Sequence, residues 1–82
     1  MMNLFVGNLP YNVDDFDLED LFREFGDVRY AKIVRDNDSK QSKGFGFVKM
    51  LDEVDAEKAI KALNGYELMG RRLKVNKAKN KK

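Results

Sequence analysis

The sequence contains no cysteine and no histidine among its 82 residues. Without cysteine the chain has no disulfide framework, no thiolate metal site and no thiol nucleophile. Without histidine it lacks the commonest general base and the commonest metal ligand. No apolar run approaches the roughly 20 residues that a membrane-spanning helix needs. We therefore expect no thiol or histidine chemistry, no cofactor, no metal and no membrane partner.

The beginning of the chain also lacks the marks of a secretory signal. Met1, Met2 and Asn3 lead directly into an apolar strand, with no basic region and no small-residue cleavage site. We therefore expect a cytoplasmic protein. The length allows one domain, which we place at residues 1–78, followed by a basic, disordered tail at residues 79–82.

The formal net charge of +2 conceals a strong segregation of charge along the chain. Residues 13–27 carry a net charge of −6 and residues 52–67 carry −3, whereas residues 28–51 carry +4 and residues 68–82 carry +7. If the acidic blocks are helices on one side of a sheet, the basic charge lies on the other side. Solvated surface charge accounts for any single block, but it accounts less well for the alternation of four.

Apolar periodicity predicts six elements in the order β-α-β-β-α-β. The predicted strands are 3–7, 28–35, 43–50 and 72–76, and the predicted helices are about 15–25 and 53–63. Asp14 is the expected cap of the first helix, and Gly26, just past its last residue, is expected to stop it. The apolar side of the second helix is expected to comprise Val54, Ala56, Ala59, Ile60 and Leu63.

This order predicts a ferredoxin-like α+β fold, with a four-stranded antiparallel sheet and both helices on one face. In the strand at 43–50, the side chains of Lys43, Phe45, Phe47 and Lys49 share one face. Phe5 joins them if the first and third strands are central. Rings flanked by ammonium groups suit bases flanked by phosphates. Core packing is the alternative for these rings, but after Val75 the only apolar residue available to cover them is Ala78.

Two short motifs in these strands give the chain a resemblance to the RNA recognition motif family. The family signature [KR]-G-[FY]-[GA]-F-V-x-[FY] reads K-G-F-G-F-V-K-M at residues 43–50, and L-F-V-G-N-L at residues 4–9 resembles the six-residue signature of the first strand. Met50 stands where the signature has an aromatic residue, and its parity places it in the core. The resemblance covers residues 2–78 and extends to small stand-alone members of bacteria and cyanobacteria.

The resemblance implies a role for each residue of the motifs. Phe5 and Phe47 each stack a base, Phe45 lies against the sugars and Lys43 meets a phosphate. We therefore predict a monomer that binds single-stranded RNA, with single-stranded DNA left open. The other predicted contacts are Asn3, Tyr30, Lys32, Val34, Lys49, Lys74, Asn76, Lys77, Ala78 and Lys79.

Two alternatives use the same fold differently. A protein-binding module would use the same sheet face for a peptide or for a second copy of the chain. An enzyme of the acylphosphatase kind needs an anion-cradling loop with a fixed arginine between the first strand and the first helix. That segment, residues 8–13, contains no arginine, and we therefore predict no enzymatic activity.

Overall fold

The computed structural model describes residues 1–78, which form a four-stranded sheet, a short hairpin and two helices. The elements are β1 (Met2–Gly7), α1 (Asp15–Arg23), β2 (Val28–Arg35), β3 (Ser42–Met50), α2 (Glu53–Leu63), β4 (Glu67–Leu68), β5 (Arg71–Arg72) and β6 (Lys74–Lys77). The antiparallel sheet has the strand order β2-β3-β1-β6. The predicted ferredoxin-like α+β fold is confirmed, with β1 and β3 central. The tail predicted at residues 79–82 lies outside the described residues.

One face of the sheet and the inner sides of the two helices enclose the core. Its largest fully buried side chains are Phe22, Leu4, Leu9, Leu18, Met50, Leu73, Val6, Val13, Val48 and Val75. Met50 is 0% exposed, as its parity predicts. Neither helix in this part of the chain is long and apolar enough to cross a membrane.

Helix α1 begins at a capping box. The backbone N–H of Asp17 donates to Asp14 Oδ1 at 2.9 Å, and the N–H of Asp14 donates to Asp17 Oδ2 at 3.3 Å. The helix ends at Arg23, two residues before the predicted end. Just past the C-cap Glu24, two N–H groups donate to carbonyls three residues back, from Phe25 to Phe22 and from Gly26 to Arg23. This tighter turn satisfies carbonyl groups that an α-helix leaves unpaired at its end.

Helix α2 has the predicted bounds, but the assignment of Val54 to its apolar side was wrong. The Val54 side chain is 62% exposed. An α-helix turns about 100° per residue, so Val54 lies about 180° around the axis from buried Leu63, nine positions later. Phe16 of α1, which the periodicity did not place, is also exposed, at 76%.

The C-terminal part of the sheet starts later than predicted. In the β4–β5 hairpin, Arg72 pairs with Glu67 and Arg71 pairs with Leu68. The last strand of the main sheet therefore begins at Lys74 and not at Arg72. This short hairpin lies between the second helix and the last strand. Leu73 and Val75, on either side of Lys74, are both buried.

Side-chain oxygens cap one backbone N–H at each outer edge of the main sheet. Asp15 Oδ1 of α1 accepts from the N–H of Ile33 in β2 at 2.7 Å. At the opposite edge, Asn64 Oδ1 accepts from the N–H of Val75 in β6 at 3.1 Å. Edge N–H groups without partners attract further strands. The two side chains therefore hold the helices to the sheet and occupy donors that an added strand would use.

Replacing Asp15 with alanine is expected to destabilise the fold by about 1–3 kcal/mol, because the partly buried N–H of Ile33 loses its acceptor. Urea unfolding measures the loss, and amide hydrogen exchange at Ile33 should accelerate more than at neighbouring positions. Asp15→Asn keeps an acceptor oxygen and should retain most of the stability. Unchanged exchange at Ile33 in the alanine variant would show that this hydrogen bond is unimportant.

Candidate nucleic-acid interface

A row of four side chains crosses the helix-free face of the sheet. In the antiparallel register, Phe5 of β1 lies opposite Phe47 of β3 on one side and opposite Asn76 of β6 on the other. Phe47 in turn lies opposite Lys32 of β2. The order across the sheet is therefore Asn76, Phe5, Phe47, Lys32. Two rings occupy the middle, with an amide group at one end and an ammonium group at the other.

Phe45 completes a triangle with the two central rings. Its ring centroid lies 5.8 Å from that of Phe5 and 6.3 Å from that of Phe47, and the centroids of Phe5 and Phe47 are also 5.8 Å apart. All three side chains are half-buried, because each ring packs against its neighbours on the sheet surface. Such tilted and edge-to-face contacts are favourable between rings. They fix the rings while leaving part of each exposed.

A second row lies beside the first and carries a cation on an aromatic ring. Lys49 of β3 lies opposite Asn3 of β1 and opposite Tyr30 of β2. The Lys49 Nζ atom is 5.4 Å from the centroid of the Tyr30 ring, within the range of a cation–π contact. The structure therefore brings these three predicted residues together, next to the phenylalanine triangle.

Four of the other residues predicted to contact RNA lie at or next to the ends of strands. Lys43 and Lys74 are exposed at the end of the sheet, beside Phe45 and Phe5. Val34 is half-buried near the end of β2, and the backbone N–H of Ala78 donates to the carbonyl of Asn3 at 2.9 Å. Lys79 lies outside the described residues.

Lys77 does not join the predicted contacts on the open face. Its Nζ lies 3.4 Å from Glu57 Oε2 of α2. Side chains alternate along a strand, so Lys77 points the same way as buried Val75, towards the helices. This correction follows from the strand period, which the sequence already contained.

The loop between β2 and β3 is folded and stabilised from within. The backbone N–H groups of Asp38 and Ser39 donate to Asp36 Oδ1 at 2.8 and 3.2 Å and hold the pKa of that carboxyl below its ordinary value. Arg35 Nη1 donates to the Lys40 carbonyl at 3.2 Å. Hydrogen bonds within the loop therefore define its shape next to the start of β3.

A basic cavity opens at the end of the sheet, next to the aromatic triangle. It measures about 370 Å³, and its lining residues are Phe5, Gly7, Asn8, Tyr11, Lys43, Gly44, Phe45, Arg71 and Lys74. Three of these carry a positive charge and none carries a carboxylate. Among residues 1–78 no group of carboxylate, histidine or cysteine side chains is placed to bind a metal ion.

A contact between distant parts of the chain forms one wall of this cavity. Arg71 Nε and Nη2 donate to Asn8 Oδ1 at 3.3 and 3.1 Å, and the guanidinium carbon lies 5.3 Å from the centroid of the Tyr11 ring. Asn8 Nδ2 also donates to the Arg72 carbonyl at 2.8 Å. No pattern in the sequence connected Asn8 and Tyr11 with Arg71.

Gly44 allows the Tyr11 ring to lie close to β3. Its φ of 85° is in the left-handed region that favours glycine. A Cβ atom at this position would lie 3.3 Å from Tyr11 Cε1, closer than most side chains tolerate. The glycine of the motif therefore shapes the cavity wall as well as the strand.

The family model described as RNA recognition motif matches residues 4–74. The chain is 49% identical over 75 residues to the chloroplastic 28 kDa ribonucleoprotein of Spinacia oleracea, and it spans 22–32% of the length of this and the other chloroplast proteins first matched. It is 45% identical over 78 residues to RbpA of Synechocystis sp., with 95% of this chain and 77% of that protein covered.

Solved structures give the same result. The crystal structure of RNA binding protein PG1 superposes with a TM-score of 0.95 at 43% identity, covering 100% of this chain and 99% of that one. A Sxl-lethal protein/RNA complex superposes with a TM-score of 0.94 at 38% identity, covering 99% of this chain and 48% of that one. The match of the family model, the strand order and the paired signatures agree, and the chain belongs to the RNA recognition motif family.

Proposed function

We propose that the chain binds single-stranded RNA on the helix-free face of its sheet. The observation that carries this proposal is the triangle of Phe5, Phe45 and Phe47, held half-exposed on a face whose charged neighbours are lysines. A chain of this size has a small core, and three rings on an open face do not contribute their full burial to its stability. A flat partner that covers them restores that burial, and unpaired bases are such partners.

Each group of side chains has a distinct part in this mode of binding. Phe5 and Phe47 each stack one base, and Phe45 packs against the sugars between them. Lys43 and Lys49 offer ammonium groups to phosphates. The groups placed to contact base edges are Asn3, Tyr30, Lys32, Val34, Lys74 and Asn76, together with the backbone near Ala78.

Single-stranded RNA is supported by the relatives as well as by the geometry. The matched family is defined by RNA recognition, and the Sxl-lethal structure that superposes on nearly the whole chain is a complex with RNA. The side chains on the open face are suited to stacking and hydrogen bonding, and the proposal is one of binding without catalysis. Two stacked bases supply about 2–6 kcal/mol, and a few phosphate contacts bring the affinity to about micromolar.

Titration with a fluorescent eight-nucleotide RNA of mixed sequence tests this proposal. We expect about micromolar binding that weakens with salt, because lysines displace counterions from the phosphates. Each phosphate contact contributes about 0.7 to the slope of log K against log salt, so three or four lysine contacts give a slope between about −2 and −3. A DNA of the same sequence, titrated in parallel, measures the contribution of the 2′-hydroxyl groups.

The competing function is a protein-binding module that uses the same rings for a peptide or a second copy. Sedimentation across a concentration range, with and without RNA, separates the two. We expect a monomer at all concentrations and a shift on adding RNA. Concentration-dependent association together with no RNA binding would overturn the proposal.

A further inference from the structure

Beyond the aromatic triangle, the cavity at the end of the sheet has the features of a separate subsite. From its lining, we infer that the cavity between Asn8, Tyr11, Lys43, Arg71 and Lys74 binds an additional nucleotide, adjacent to the two on the phenylalanine rings. This inference rests on the proposed function and extends it to Tyr11 and Arg71, which lie outside both sequence motifs. The Tyr11 ring takes the base, and Arg71 with Lys43 takes the phosphate.

Charge is the first argument for a nucleotide in this cavity. Lys43, Lys74 and Arg71 line it, and no carboxylate does. The lining therefore offers positive charge without a protein counter-charge, which favours an anionic ligand. A phosphate in the cavity supplies that counter-charge, and arginine in particular binds phosphates through parallel N–H donors.

The fixed orientation of Arg71 is the second argument. Asn8 Oδ1 engages its Nε and Nη2 atoms at 3.3 and 3.1 Å, which sets the plane of the guanidinium against the Tyr11 ring. Within residues 1–78, Nη1 of Arg71 has no hydrogen-bond partner. A donor that is oriented before the ligand arrives loses less side-chain entropy on binding. Asn8 is thus a positioning residue for this guanidinium.

The exposed Tyr11 ring is the third argument. Its side chain is 63% exposed, although it borders the cavity and rests over Gly44. Phe5 and Phe45 of the triangle also line this cavity, so the Tyr11 ring and the triangle border the same surface. A strand of RNA stacked on the triangle therefore passes to Tyr11 without leaving the surface of the protein.

A length series of oligouridylates tests the inference. The parent protein, Arg71→Gln and Arg72→Gln are titrated with RNAs of two, four and six nucleotides, with the dinucleotide followed by NMR. Arg72→Gln is a matched control, since it removes the same charge from an exposed neighbour that does not line the cavity. We expect Arg71→Gln to weaken binding of the longer RNAs by about 10-fold and of the dinucleotide by less than about 2-fold.

A second variant protects the test from a folding defect. Tyr11→Leu keeps an apolar side chain over Gly44 and removes the ring, and we expect it to weaken binding of the longer RNAs by about 5- to 10-fold. The slope of log K against log salt should become less steep by about 0.7 in Arg71→Gln and stay unchanged in Tyr11→Leu.

The outcomes separate this inference from the proposed function. If the parent binds no oligouridylate of any length and no mixed-sequence RNA, the proposed function is wrong. If the parent binds RNA but Arg71→Gln and Tyr11→Leu match Arg72→Gln at every length, the function stands and the subsite is wrong. An equal loss for the dinucleotide and the longer RNAs would place Arg71 in the two-base site and would also overturn the inference.

Discussion

Replacing Phe47 with alanine is expected to weaken RNA binding by about 5- to 150-fold while the protein stays folded. Stacking of one base on an aromatic side chain contributes about 1–3 kcal/mol, and a tenfold change in affinity corresponds to about 1.4 kcal/mol. The Phe47 ring lies between Phe5 and Lys32 in the first row of side chains and contacts both other rings of the triangle. Its loss therefore removes one stacking surface and loosens two others. Fluorescence anisotropy titration measures the affinity.

The chain offers a matched control for this experiment. Phe16 is an exposed phenylalanine on α1, on the opposite side of the molecule from the open face. Phe16→Ala should bind RNA as the parent does, and Phe47→Tyr should retain most of the affinity because it keeps a ring. Equal affinity of Phe47→Ala and the parent would show that bases do not stack there.

Replacing Phe22 with alanine has the largest expected effect on stability, a loss of about 3–5 kcal/mol. The side chain is 0% exposed and is the largest fully buried one in the core. Its removal leaves a cavity between α1 and the sheet. A domain of this length has a total stability of only about 4–12 kcal/mol, so much of the folded population is at risk. Urea unfolding at neutral pH measures the change.

Two further variants keep this prediction testable. Phe22→Leu removes less volume and should cost less, so it remains measurable if the alanine variant does not fold. Phe16→Ala, six positions earlier in the same helix, should change the free energy of unfolding by less than about 0.5 kcal/mol. If Phe22→Ala and Phe16→Ala unfold at the same urea concentration, the interpretation of the core is wrong.

The sequence predicted those parts of the fold that depend on local periodicity. The bounds of β2 and α2 agree with the prediction because each has a continuous pattern ended by turn residues. The three rings were expected on the helix-free face, and they share that face because β1 and β3 are neighbours with Phe5 opposite Phe47. Strand parity and strand order together are enough to predict that the three rings share this face.

The parts that the sequence analysis missed involve the angular position of a residue on a helix, the side-chain direction at the end of a strand, and contacts over long separations. Val54 belongs to an amphipathic helix, and whether its side chain is buried depends on which side of that helix meets the sheet. Lys77 was assigned by nearness to the open face, although the strand period places it towards α2. The contact of Asn8 and Tyr11 with Arg71 joins segments about 60 residues apart. No local pattern predicts such a contact.

The side chains at the two borders of the sheet have a consequence for the proposed binding of several copies to one long RNA. Asp15 and Asn64 each occupy a donor that a neighbouring molecule would need in order to continue the sheet. Copies bound along one RNA are thus expected to sit side by side without merging into a shared β-structure. The number of copies on one RNA is then set by the free nucleotides available. Each copy can dissociate without breaking backbone hydrogen bonds to a neighbouring copy.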